Sequence, residues 1–270
     1  MQKLFNLIKL NMKFIGRMKT ILFMTIFAII YCFWGINSLS NPIIDITTGD
    51  IFIKLFGGVN KNISSILDYF NWMGFQLILL YELFRFMYVE FEEKRNIVLP
   101  RIGVKKIWIF LNIILIVFRA ILCLIVIYIT VFIICVFKLK TTNIVTANFI
   151  NNLTSEYQLY QLIPQLFSLN LLTSITIAII TINIYLIIAD FNKSAISSII
   201  IYAISMFWEN PYFSIGSNSI FVQNSYFVTE NVGVQYYGKI VYFIVIILIN
   251  FMLTLKVIKE NNYRKECIYG

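Results

Sequence analysis

The sequence predicts an all-α, polytopic membrane protein with six transmembrane helices, and three observations predict it. Apolar runs of about 20 residues recur along the chain, the length that crosses a bilayer core. Only 13% of the residues are charged and the mean hydropathy is +0.83, where a soluble domain carries roughly 25% charge. The densest charge cluster, EFEEKRNIVLPRIGVKKIW over 90–108, falls between two such runs, where it must sit in water or among headgroups. No hydrophilic stretch exceeds about 30 residues, too few to bury a core, so 1–270 reads as a single transmembrane domain.

At the start, Leu4, Phe5, Leu7, Ile8, Leu10 and Met12 interleave with Lys3, Asn6, Lys9, Asn11 and Lys13. That pattern predicts an interfacial amphipathic helix over 1–19, lying on the membrane surface. A signal peptide is the competing reading, but no small-residue cleavage site follows the apolar run. The first span covers about 20–38. The stretch that follows, punctuated by Pro42, Gly49, Gly57 and Gly58, reads as a polar connection. The second span covers about 66–88.

Pro100 and Gly103 then interrupt the charged cluster, which leaves a short helix from about Tyr88 to Val98, a bend, and a new helix. The third span, about 107–137, would reach about 46 Å at 1.5 Å per residue. It must therefore protrude or tilt. Residues 138–161 are polar, the fourth span covers about 162–189, and DFNKS reads as a tight turn. The next apolar run, from Ala195, breaks at Glu209, Asn210 and Pro211. Placing the fifth span at about 195–215 therefore requires re-entrant or interfacial elements before the sixth, at about 239–259. Trp34, Trp72, Trp108 and Trp208 read as interfacial anchors.

The net charge of +9 sets orientation in a membrane protein and does not imply nucleic acid. Fifteen of the Lys and Arg residues outside the spans fall with the N-terminus, the 90–106 hinge, the DFNKS turn and the tail. Five (Lys54, Lys61, Lys138, Lys140, Lys239) fall on the other side. This places both termini and the hinge in the cytoplasm. Asn62 and Asn152, each in an N-x-[ST] sequence, then lie outside, where chance in an Asn-rich chain accounts for the motif. The Ile, Asn and Lys bias is what an AT-rich bacterial genome gives, and points to a bacterial plasma membrane.

Catalytic and metal chemistry find little support. Histidine is absent, which removes HExxH sites and the usual imidazole base, and no nucleophile motif or catalytic carboxylate pair appears. Cys32, Cys123, Cys135 and Cys267 have no paired spacing and read as small buried hydrophobes. Glu82, Arg85 and Arg119 lie inside spans, where a charge costs roughly 2.5 kcal/mol or more. Arg85 can snorkel to the interface, but a short acid reaches less far. Depth counting brings Glu82 opposite Arg119 as an intramembrane charge pair. The polar groups of spans three and four, including Thr130, Thr173, Ser174, Thr176, Thr181 and Asn183, read first as helix-to-helix hydrogen bonders and second as a path lining.

The layout resembles the permease subunits of type-2 ABC exporters, in the short form of the peptide-export and antibiotic-immunity systems. The similarity is strongest where the second span runs into an acidic segment (EFEEKRN), a Pro- and Gly-bearing bend (LPRIG) and a basic start to the third span (VKKIW). The broken segment WENPYFSIGSNSIFVQNSYF between the last two spans is a further similarity. The resemblance implies that the hinge acts as a coupling helix through Glu90, Glu92, Glu93, Lys94, Arg95 and Arg101, against a separate ABC-type ATPase. It also implies a second permease chain, identical or different. The chain has no GxxxxGK[ST] loop, so ATP and Mg would belong to the partner and this chain would not be an enzyme. The expected activity is export of an amphipathic substrate such as a peptide, lipid or hydrophobic antibiotic. The alternative is a non-transporting membrane scaffold or sensor.

Overall fold

The computed structural model describes residues 18–39, 46–58, 66–94, 105–139, 144–145, 157–206, 215–220 and 236–269. The interfacial helix expected over 1–19 lies outside these residues apart from its last two. Apart from one pair of two-residue strands, the described elements are helices. In order they are α1 (Met18–Leu39), α2 (Thr48–Phe56), α3 (Ile66–Tyr88), a π-helical turn (Val89–Glu93), α4 (Lys105–Lys138), β1 (Ile144–Val145), β2 (Tyr157–Gln158), α5 (Leu159–Ile188), α6 (Phe191–Met206), α7 (Ile215–Ser219) and α8 (Tyr236–Tyr269). The strands pair antiparallel, Ile144 with Gln158 and Val145 with Tyr157, inside the stretch expected to be a polar loop.

Among the described residues four helices are long and apolar enough to cross a membrane: α1, α4, α5 and the Tyr236–Lys259 part of α8. They give the chain the character of a membrane protein. Among the described residues α3 falls outside that group; its 23 residues include Asp68, Glu82 and Arg85. The 16 residues of α6 cover about 24 Å and are too short to join it. α4 is longer than expected at 34 residues, about 51 Å.

α5 is the centre of the bundle. Its most apolar stretch is 61% buried, against 11% for α8, and it packs on α2, α3, α4, α6, α7 and α8. Thr130, Thr173, Ser174 and Thr176 bond the carbonyl four residues back, which satisfies their hydroxyls inside their own helices. The α5 face toward its neighbours carries Asn170, Thr181 and Asn183. Asn183 donates to Asn250 Oδ1 at 3.0 Å and accepts from Thr254, fixing α8 to α5. Thr181 donates to Ser198 Oγ at 2.7 Å on α6.

Several expectations need correction. The connection after α1 contains a helix, α2, and nearly every residue of it is buried. A capping box starts it: Thr47 Oγ1 accepts from the Asp50 amide, and Asp50 Oδ2 accepts from the Thr47 amide at 2.9 Å. Phe52 and Phe56 then pack on Tyr128 of α4, at 5.6 and 4.4 Å between ring centroids.

The fifth helix starts four residues before 195, so DFNKS supplies its first turn, and it is described as far as Met206; residues 207–214 of the expected span lie outside the described residues. Residue 215 instead opens α7, which folds back on the end of α6: the Gly216 amide donates to Ser205 Oγ at 2.9 Å. A Cβ at position 216 would collide with the Met206 backbone, so glycine permits this return. α7 then meets the end of α2, where a Cβ on Gly58 (φ +85°) would lie 2.7 Å from Ile220 Cγ2.

Lys239, counted on the exterior side at the start of the sixth span, is buried in α8 and donates to the Ile220 carbonyl at 2.6 Å. Trp72 and Trp108 are core residues and not interfacial anchors, at 1% and 2% exposure.

Candidate functional site

The charged hinge begins as a continuation of α3. Of the short helix expected from about Tyr88 to Val98, residues 89–93 form one π turn, closed by the Lys94 amide on the Val89 carbonyl at 2.9 Å, and residues 95–98 lie outside the described residues. Such turns shift the side-chain register by about one position and recur at functional sites. Here the shift turns Glu90 and Phe91 inward.

Phe91 is the anchor. Its ring lies 4.8 Å from Trp108 and 5.4 Å from Tyr185, centroid to centroid. The Tyr185 hydroxyl donates to the Phe91 carbonyl at 3.0 Å. A π turn leaves backbone acceptors unused near its end, and this bond satisfies one of them from α5.

The acids divide by partner. Glu90 is buried and pairs with Lys94. Glu92 Oε1 accepts from the Phe191 amide at 3.1 Å, capping α6 from a residue 99 positions away. Glu93 is exposed. Arg95 and Arg101 lie outside the described residues.

The receiving surface is the two-residue junction between α5 and α6. Ala189 takes the left-handed conformation (φ 60°) that ends α5. Asp190 then accepts from the Lys193 amide at 3.1 Å to start α6, and that bond holds its carboxyl below the usual range. Phe191 packs against Phe84 and Tyr88 at 6.3 and 6.0 Å. The hinge is thereby bonded and packed onto the ends of two further helices.

One level deeper, Arg119 Nη2 lies 3.0 Å from Glu82 Oε2, with both side chains at 5% exposure or less. Thr20 of α1 joins them, donating to Glu82 at 3.3 Å and accepting from Arg119 at 2.7 Å. Arg85 Nη1 shares the other Glu82 oxygen at 3.3 Å. The Arg119 guanidinium also stands 5.6 Å over the Phe86 ring. Two contacts set the register of α3 against α4: Phe91 on Trp108 and Glu82 on Arg119. A cleft of about 50 Å³ opens beside the cluster, lined by Thr20, Arg85, Phe86, Val89, Glu90, Lys94 and Arg119.

Sequence reasoning missed the polar contact in the other half of the bundle. Gln76 of α3 donates to Asn170 Oδ1 at 2.5 Å, and Asn170 donates to the Tyr128 hydroxyl at 2.9 Å and the Phe56 carbonyl at 3.4 Å. An amide in each of two apolar helices was the available signal. Cys32 and Cys135 touch at 4.0 Å between sulfurs. Among the described residues no group of three His, Cys, Asp or Glu side chains gathers to hold a metal. No protein-family model, curated protein or solved structure matches this chain.

Proposed function

We propose that this chain is the transmembrane permease subunit of an ATP-driven exporter for an amphipathic substrate, of the type-2 ABC kind, with a separate ATPase docking at the 90–106 hinge. The observation that carries the reading is the bond between hinge and helix junction, Glu92 to the Phe191 amide and Phe91 to Tyr185. A docked subunit that displaced an unattached loop would move nothing else. Displacing this segment pulls on α3, α4, α5 and α6 together, because it continues α3 and its backbone, its carboxylate and the Phe91 ring hold α5, α6 and α4 in turn.

The proposed topology has six crossings in a bacterial plasma membrane, with both termini and the hinge cytoplasmic by the basic-residue count. The two crossings beyond the four apolar helices are α3 and α6. α3 tolerates Glu82 because the acid is paired. α6 is short, and the return through α7 supplies the remaining depth as protein-packed backbone. The sparsely buried α8 leaves apolar surface for lipid or for a second permease chain, with which the pathway would be shared. ATP and Mg are assigned to the partner, since this sequence has no phosphate loop.

A second reading, a membrane scaffold or sensor without transport, is favoured by one observation. Glu90 and Glu92 are already engaged inside the chain, which leaves Glu93 as the exposed hinge acid among the described residues. The two readings separate on Glu93→Lys. Charge reversal at a docked face costs up to several kcal/mol, so the permease reading expects the variant to insert and fold yet lose its ATPase on purification from native membranes. No ATPase with the unaltered chain favours the scaffold, and retention of an unchanged ATPase by the variant removes Glu93 from the docking face.

A further inference from the structure

We propose that the cleft between the start of α1, the end of α3, the π turn and α4 binds the phosphate of an anionic phospholipid. The inference rests on the chain's membrane character alone and holds whether or not the protein transports anything.

The charge balance is the first ground. Among the described residues, Arg85, Lys94 and Arg119 line the cleft and the carboxylates paired with them are Glu82 and Glu90, three cations to two anions. Glu82 serves two guanidiniums at once, Arg119 through Oε2 and Arg85 through Oε1. Arg85 is therefore undercompensated. Its side chain is 48% exposed, and among the described residues Nη1 to Glu82 is its one hydrogen bond. The remaining guanidinium donors form the planar fork that grips phosphate oxygens in pairs.

Depth is the second ground. The π turn and Lys94 belong to a charged segment excluded from hydrocarbon, so the upper wall of the cleft marks the membrane–water boundary. Below it, Tyr81, Arg85 and Tyr88 follow one another at helical spacing on the outer face of α3, and all three are exposed. Two tyrosines flanking an arginine on a lipid-facing stripe is the arrangement found at headgroup level. A basic pocket between membrane helices at that level is a recurrent headgroup site. At about 50 Å³ the cleft has room for one compact group and not for a whole lipid, whose chains would run down the exposed side of α3.

The test uses the full chain in a neutral detergent and follows thermal unfolding while phosphatidylglycerol, phosphatidylcholine or inorganic phosphate is added at matched concentrations. A ligand of the folded state raises Tm with the logarithm of its concentration. Phosphatidylglycerol is expected to raise Tm, phosphatidylcholine and inorganic phosphate to have little effect, and Arg85→Gln to abolish the phosphatidylglycerol-specific rise. Arg85→Lys should keep part of it, which covers the case of a poorly folded Gln variant. Native mass spectrometry should show one retained phosphatidylglycerol on the unaltered chain and none on Arg85→Gln. Equal shifts with both lipids, or a full shift in Arg85→Gln, would overturn the proposal. An equal shift with inorganic phosphate would reassign the cleft to a free phosphate and overturn the lipid.

Discussion

The Glu92 carboxylate accepts the Phe191 backbone N–H at 3.1 Å, so an acid of the charged hinge caps a helix that begins 99 residues later. The bond changes what a hinge substitution tests. Glu92→Ala removes a helix cap and is expected to lower stability by about 1 kcal/mol, whereas Glu92→Gln keeps an acceptor oxygen and should cost less. Chemical unfolding of the two variants in detergent measures the difference. Asp190, whose pKa is depressed by the Lys193 amide, adds stability above the ordinary carboxylate range that is lost as pH falls through its lowered value.

The buried cluster predicts coupled losses. Glu82→Ala removes the carboxylate that pairs with buried Arg119, whereas Arg119→Ala leaves Glu82 its second partner Arg85; breaking a buried pair from one side costs up to about 3–5 kcal/mol, and the second change should cost less than the first. The double change should cost clearly less than the two losses added, because no charge remains to be stranded. Strictly additive losses in an unfolding cycle would mean that the two side chains do not interact.

Backbone geometry makes a pair of opposite predictions. Gly216→Ala forces a methyl group into the Met206 backbone and should destabilise by about 1–3 kcal/mol. Ala189→Gly relieves a left-handed non-glycine residue and should stabilise by about 1 kcal/mol. The Tm of each variant beside the unaltered chain decides both.

Asn170→Leu leaves Gln76 and Tyr128 without their shared partner and should cost about 1–2 kcal/mol, near the lower end for a stranded buried amide. Adding Gln76→Leu should restore part of the loss. Unfolding midpoints of the single and double variants measure it.

What the sequence made legible follows from range. Apolar runs are local, so α1, α4, α5 and the apolar part of α8 could be placed from them, and the charged break after α3 was equally plain. Depth counting also brought Glu82 and Arg119 to one level, and they stand 3.0 Å apart. The π turn was not legible because it is a change of hydrogen-bond register, which leaves no mark on residue pattern. α2 was read as part of a polar connection because nine residues, with Gly49 inside and Gly57 and Gly58 after them, are too few for helical periodicity to stand out, although Thr47 and Asp50 carried the capping-box signal. The function of Glu92 and the burial of Trp108 and Lys239 depend on contacts between distant elements, which no window along the chain contains.

The central claim is that a separate ATPase drives this chain through its hinge. It is tested most directly by measuring Mg-ATP hydrolysis by the chain purified in mild detergent from its native membranes. The account predicts vanadate-sensitive hydrolysis that co-elutes with a second polypeptide carrying a phosphate loop, and that is lost from the Glu93→Lys preparation while this chain stays folded. Purification of the intact, folded chain with neither hydrolysis nor such a polypeptide would contradict it.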